Sequence, residues 1–139
     1  MKIVFDSNVV ISAFACPGIC RSVYKTSLKN HEVCLCDHLL GEIEAGFVKK
    51  LKMPANKAIQ NIQYVRENCR ISVSESVGVD QCRDPDDLPV LGLASAVQAQ
   101  LIVSGDADLR HLKKFKKTRI VSPRELWELI REKENELKS

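Results

Sequence analysis

No stretch of this sequence approaches the ~20 consecutive apolar residues of a membrane span. A Gly-rich phosphate loop of the G-x₄-G-K-[ST] kind is also missing, which argues against nucleotide hydrolysis of that type. Aromatic residues make up only 5% of the chain, so base stacking of the kind used by single-strand binders is not indicated. The 3 histidines are scattered, and none pairs convincingly with a nucleophilic Ser or Cys. The N-terminus lacks the basic start and small-residue cleavage site of a secretion signal, because its apolar run breaks at Asp6. The 6 cysteines are Cys16, Cys20, Cys34, Cys36, Cys69 and Cys82, and no pair has the C-x₂-C spacing of common zinc sites. With no secretion signal, they read as reduced thiols of a cytoplasmic protein.

The chain has 139 residues, 45% apolar and 28% charged. That is enough for one domain over residues 1–139, with a core that needs no disulfides. A formal net charge of +3 permits a nucleic-acid partner without arguing for one. Short apolar runs predict strands at 2–5, 31–36, 71–73, 101–104 and 118–121. Helical spacing predicts helices between them, including one at 107–117 and a last one from Pro123 to about Leu137. Asp37 is expected as the N-cap of one helix, and Pro54 as the first residue of the next. Alternating strands and helices imply an α/β fold with a mainly parallel, five-stranded sheet.

The chemistry concentrates where strands stop. Lys2-Ile3-Val4-Phe5 is all apolar, as in a strand buried on both faces, and it ends at Asp6-Ser7-Asn8. Asp6 on its own could simply cap the following helix, a position Asp often fills. A second stretch repeats the design: Leu101-Ile102-Val103-Ser104-Gly105-Asp106-Ala107-Asp108. Asp84, Asp86 and Asp87 precede another helix, and Asp108 starts one. Helix N-termini favour negative charge, which accounts for Asp86 or Asp87 but not for acids at two strand ends. In open α/β sheets ligands bind outside the carboxyl ends of the strands. Gathered there, these carboxylates would repel one another unless something positive joined them. An all-oxygen donor set suits Mg²⁺ or Mn²⁺. Such a site could activate water and stabilise charge on a phosphoryl group, so metal-assisted phosphodiester hydrolysis is the leading chemistry.

Taken together, these motifs resemble the PIN domain family. Lys2-Ile3-Val4-Phe5-Asp6-Ser7-Asn8-Val9 looks like the opening of such a domain, and Leu39-Leu40-Gly41-Glu42 like its second acidic position. Arg83-Asp84-Pro85-Asp86-Asp87, followed by Val90-Leu91-Gly92-Leu93-Ala94, looks like the third. Ile102-Val103-Ser104-Gly105-Asp106-Ala107-Asp108-Leu109 looks like the fourth. The nearest group is the small prokaryotic PIN proteins described as toxin components of toxin–antitoxin pairs. The resemblance implies a three-layer α/β/α fold, Mg²⁺- or Mn²⁺-dependent ribonuclease activity, frequent homodimers and a protein antitoxin as a possible partner. By position it also implies an acidic quartet of Asp6, Glu42, Asp87 and Asp106. Asp108 would be an auxiliary metal ligand, with Asn8, Ser104 and Asp84 as polar helpers. The resemblance favours Glu42, whereas helical geometry alone does not choose between Glu42 and Glu44.

A basic run follows the fourth motif: His111-Leu112-Lys113-Lys114-Phe115-Lys116-Lys117-Thr118-Arg119. It is either a solvated helix face or a contact for RNA backbone through Lys113, Lys114, Lys116 and Lys117. Lys25, Lys29, Lys49, Lys50 and Lys52 could extend that surface, but the sequence does not place them on one side. Two rival functions remain: a metal-dependent phosphatase or phosphoryl-transfer domain, and a non-catalytic nucleic-acid-binding module.

Overall fold

The computed structural model describes residues 1–82 and 84–138; Arg83, which opens the third acidic motif, lies outside the described residues. The chain opens with β1 (Lys2–Phe5), α1 (Ser7–Ala15), α2 (Ile19–Asn30), β2 (Glu32–Leu35), α3 (Asp37–Lys49) and α4 (Ala55–Asn68). It continues through β3 (Arg70–Ile71), α5 (Leu88–Val97), β4 (Leu101–Val103), α6 (Ala107–Leu112), β5 (Lys114–Phe115), β6 (Thr118–Val121) and α7 (Pro123–Lys138). The sheet order is β3-β2-β1-β4-β6-β5. Every pairing is parallel except β5 with β6.

Helices cover both faces of this sheet in a three-layer α/β/α arrangement. The central strands show why. Ile3, Val4 and Phe5 are fully buried, as are Ile102 and Val103 beside them, so alternate side chains find apolar cover on each side of the pleat. Each such side chain contributes about 1.5–3 kcal/mol by leaving water. The rings of Phe5, Tyr24, Phe14 and Phe47 form one contact chain between the sheet and α1–α3. All cysteines are free thiols. Among the described residues no helix is long and apolar enough to cross a membrane.

The sheet has 6 strands rather than the five expected from sequence, and the difference lies in the basic run. The helix expected to reach Lys117 stops at Leu112, because Lys113 and Lys116 adopt left-handed backbone with φ of 62° and 52°. The chain folds back instead, and β5 pairs antiparallel with β6, Lys114 opposite Arg119 and Phe115 opposite Thr118. Phe115 is buried, which holds the hairpin down. Two helix starts also differ by one residue. Cys36, not Asp37, is the N-cap of α3, and Pro54 is the N-cap of α4 rather than its first residue.

Candidate active site

Strand β1 leads by one crossover to β2 on one side, while β4 lies on its other side. The β1/β4 junction is therefore a topological switch point, where the carboxyl ends of two parallel strands leave a crevice. Phe5 is in register with Val103, and the Asp6 amide extends the ladder by donating to the Val103 carbonyl at 3.0 Å. Asp6 and the Ser104–Asp106 turn thus leave the sheet side by side.

Ser104 ties them together. It is fully buried; its hydroxyl donates to Asp6 Oδ2 at 2.7 Å and accepts from the Asp106 amide at 2.9 Å. Asp6 precedes α1, yet its carboxylate makes no cap hydrogen bond. Asp106 does cap its helix: Oδ1 accepts from the Asp108 amide at 2.8 Å and the Leu109 amide at 3.2 Å. Asp84 likewise accepts from the Asp86 amide at 3.0 Å, shaping the tight turn Pro85–Asp87. That turn delivers Asp87 to the start of α5. Asp87 is only 7% exposed, and the Cys82 thiol donates to its Oδ2 at 3.8 Å.

The carboxylates feel one another. Burial raises the Asp87 pKa to about 7, helped by the charges of Asp106, Asp6 and Asp84. Asp6, also 7% exposed, is raised by burial and by Asp106, against the lowering effect of its Ser104 hydrogen bond and of Ser7. Glu42, half-buried on α3, is raised by burial and by Asp6 and Asp86, while His38 lowers it. His38 Nε2 lies 3.6 Å from Glu42 Oε1, one helical turn away. Asp6, Glu42, Asp87 and Asp106 therefore share one field. Among the described residues no Lys or Arg forms an ion pair with Asp6, Asp87 or Asp106.

The donor set is all oxygen, buried at Asp6 and Asp87 and half-buried at Asp106, and without an ion pair to Lys or Arg among the described residues, which fits a hard divalent cation. No three His, Cys, Asp or Glu among the described residues converge tightly enough to enclose an ion by themselves. Mg²⁺ does not need that, since it commonly takes one or two carboxylates and keeps several waters. Asp6, Asp87 and Asp106 are the residues that could hold it. Asp108, half-buried at the second position of α6, lines a neighbouring pocket with Asp80, Cys82 and His111.

The expected helpers part company. Ser104 is in the centre of the site, whereas exposed Asn8 accepts a hydrogen bond from Lys50 Nζ at 3.0 Å. The four lysines of the basic run do not gather at the acids. Lys116 Nζ donates to Ser95 Oγ at 2.9 Å near the far end of α5, and Lys117 joins it beside Gln98 and Gln100, which precede β4. Those positions mark the amino ends of the strands, opposite Asp6. Lys113 and Lys114 lie between, along the edge formed by β5.

Ser7 and Cys82 were not singled out from sequence, and Lys49 and Lys50 were named there without being placed. Ser7 is buried at 5% exposure, and its proximity lowers the pKa of both Asp6 and Glu42; its place directly after the strand-ending Asp was the available signal. Cys82 sits against Asp87, and nothing in its spacing marks it. Lys49 and Lys50 line a groove with Ser7, Asn8 and Glu42. Lys49, seven residues after Glu42, has the helical spacing that puts it on the same face.

A family model described as PIN domain matches residues 2–108. Among solved structures, one similar chain belongs to VapBC2 from Rickettsia felis, bound to a DNA fragment from their promoter. Its TM-score is 0.62 at 13% identity, with 88% of this chain and 98% of that chain covered. At that identity the likeness is one of fold. No curated protein matches the chain.

Proposed function

Because the chain belongs to the PIN domain family, we propose that it is a divalent-metal-dependent endoribonuclease that hydrolyses RNA phosphodiester bonds, the toxin component of a toxin–antitoxin pair. One observation carries this reading: the buried carboxylates of Asp6 and Asp87 are both raised by the charge of half-buried Asp106, and none of the three forms an ion pair with a Lys or Arg among the described residues. A site that raises its own carboxylates in this way gains stability when a cation enters.

The chemistry that bound Mg²⁺ or Mn²⁺ supplies is activation of water and neutralisation of charge on the phosphoryl oxygens. The chain's own residues do the rest. Asp6, Asp87 and Asp106 would hold the cation, and Ser104 fixes the Asp6 carboxylate and the Asp106 backbone relative to each other. Asp108 is an auxiliary acid, and Asp84 shapes the turn that presents Asp87. Glu42, whose raised pKa makes it a stronger base than a free glutamate, orients the attacking water and accepts its proton.

The test is cleavage of a single-stranded RNA in Mg²⁺ or Mn²⁺, repeated in chelator and with Asp6→Asn. Cleavage should vanish in both controls. Full activity in either one contradicts the proposal, and hydrolysis of a phosphomonoester without RNA cleavage would instead identify a phosphatase. The same reading carries a symmetric homodimer and a protein antitoxin as partners. Light scattering that reported a single-chain mass at micromolar concentration would remove the dimer.

A further inference from the structure

We propose that the groove between α1 and α3 is the path by which RNA backbone reaches the acids, with Lys49 and Lys50 binding a phosphate that flanks the one to be cleaved. This rests on the nuclease reading and adds to it a binding site for the sugar–phosphate chain.

The groove, of about 340 Å³, is lined by Ser7, Asn8 and Ile11 on α1 and by Glu42, Lys49 and Lys50 on or just after α3. Its shape is set by small residues. Ala45 and Gly46 form the α3 floor, and a Cβ at Gly46 would collide with the Ile11 side chain. Glycine therefore lets the two helices close at that level, and the groove lies above their contact. Its charge is graded along one helix face. Glu42, at the acid end, feels Asp6 and Asp86, while Lys49 lies seven residues on, about 10 Å along the axis. One end suits a cation and the other a phosphate.

Lys50 is already aimed. Its Nζ donates to Asn8 Oδ1 at 3.0 Å, so the exposed ammonium is tethered at the groove to a residue two positions after Asp6. Asn8 is thus a positioning residue for Lys50. Neither lysine forms an ion pair with an acid among the described residues, so an incoming phosphate displaces no such partner. Lys116, by contrast, is engaged with Ser95 at the other end of the sheet. The RNA path consequently runs along α3, and the hairpin lysines Lys116 and Lys117 lie outside it.

The experiment measures binding of a short single-stranded oligoribonucleotide in chelator across a salt series, so that cleavage does not intervene. Lys49→Gln/Lys50→Gln should weaken binding roughly tenfold near physiological salt and reduce the slope of log K against log salt by about 0.7, the value for one lost phosphate contact on a single strand. Lys49→Arg/Lys50→Arg should restore both, since Arg also pairs with phosphate. Lys116→Gln/Lys117→Gln should leave both unchanged. Both lysines are exposed at the end of α3, and a circular-dichroism melt verifies that the variants fold. If the wild type binds and cleaves RNA but Lys49→Gln/Lys50→Gln keeps its slope, the groove proposal is overturned alone. Loss of slope in Lys116→Gln/Lys117→Gln instead would also overturn it. A wild type that neither binds nor cleaves RNA would overturn the nuclease reading with it.

Discussion

Asp6 and Asp106 occupy equivalent places, each directly or nearly after one of two adjacent parallel strands and each just before a helix. They are used differently. Asp106 caps its helix through Oδ1, binding the amides of Asp108 and Leu109. Asp6 is the N-cap of α1 through its backbone carbonyl, which accepts from the Val9 amide, but its carboxylate makes no cap bond and accepts instead from the buried Ser104 hydroxyl. Capping thus employs one oxygen of the Asp106 side chain and does not employ the Asp6 side chain. What Asp6 lacks in structural employment it gains in proximity to three other acids, and that is hard to explain unless a cation is meant to join them.

The largest effect that would sharpen this contrast is on activity. Asp6→Asn and Asp106→Asn should each lower RNA cleavage by a factor of roughly 10³ or more, because either amide removes charge that the site needs for several kcal/mol of stabilisation. Stability then separates the pair. Asp106→Ala should cost about 1 kcal/mol through the lost cap while Asp106→Asn costs almost nothing, and Asp6→Asn should melt no lower than wild type in chelator. A clear fall in the melting temperature of Asp6→Asn would make it a structural acid and erase the contrast.

Ser104→Ala should come next. It removes the donor to Asp6 and the acceptor for the Asp106 amide in a fully buried setting, which costs about 1–3 kcal/mol. The same change should push the Asp6 pKa further up, since the Ser104 hydrogen bond lowers it. Denaturant melts check the first effect and NMR titration of the Asp6 carboxyl the second. A stability unchanged from wild type would mean that Ser104 does not join the two strand ends energetically.

Much of this arrangement is legible in the chain. An apolar run that stops at an acid identifies both Asp6 and Asp106, and parallel strands bring such ends together. Asp87 was legible as an acid before a helix, but its burial depends on Cys82 and the Pro85–Asp87 turn, which only the folded chain assembles. The β5–β6 hairpin was hidden for a definite reason. Its left-handed positions are Lys113 and Lys116, where Gly or Asn would normally announce a turn. A run of lysines with one Phe therefore read as the continuation of a helix. Glu42 could not be chosen over Glu44 by helical angle alone, because the choice depends on where α3 lies relative to Asp6. The groove lysines were hidden likewise, since their placement depends on the approach of α1 to α3 at Gly46.

The central claim, that these carboxylates form a cation site, is tested most directly at Asp87. Its pKa in the folded protein is raised from 3.8 to about 7 by burial and by neighbouring acids. Between those values the folded chain keeps a proton that the unfolded chain has released. Its contribution to stability is therefore full below about pH 4 and is lost as pH rises toward 7. After discounting for solvent screening the loss is on the order of 1–2 kcal/mol. The measurement is a thermal melt from pH 4 to 8, in chelator and in Mn²⁺, for the wild type and Asp87→Asn. In chelator the wild type should lose stability across that range more steeply than Asp87→Asn. Mn²⁺ at pH 8 should restore the wild type and do little for the variant. A wild-type melting temperature indifferent to Mn²⁺ at pH 8, with the same pH dependence in both proteins, would contradict the account.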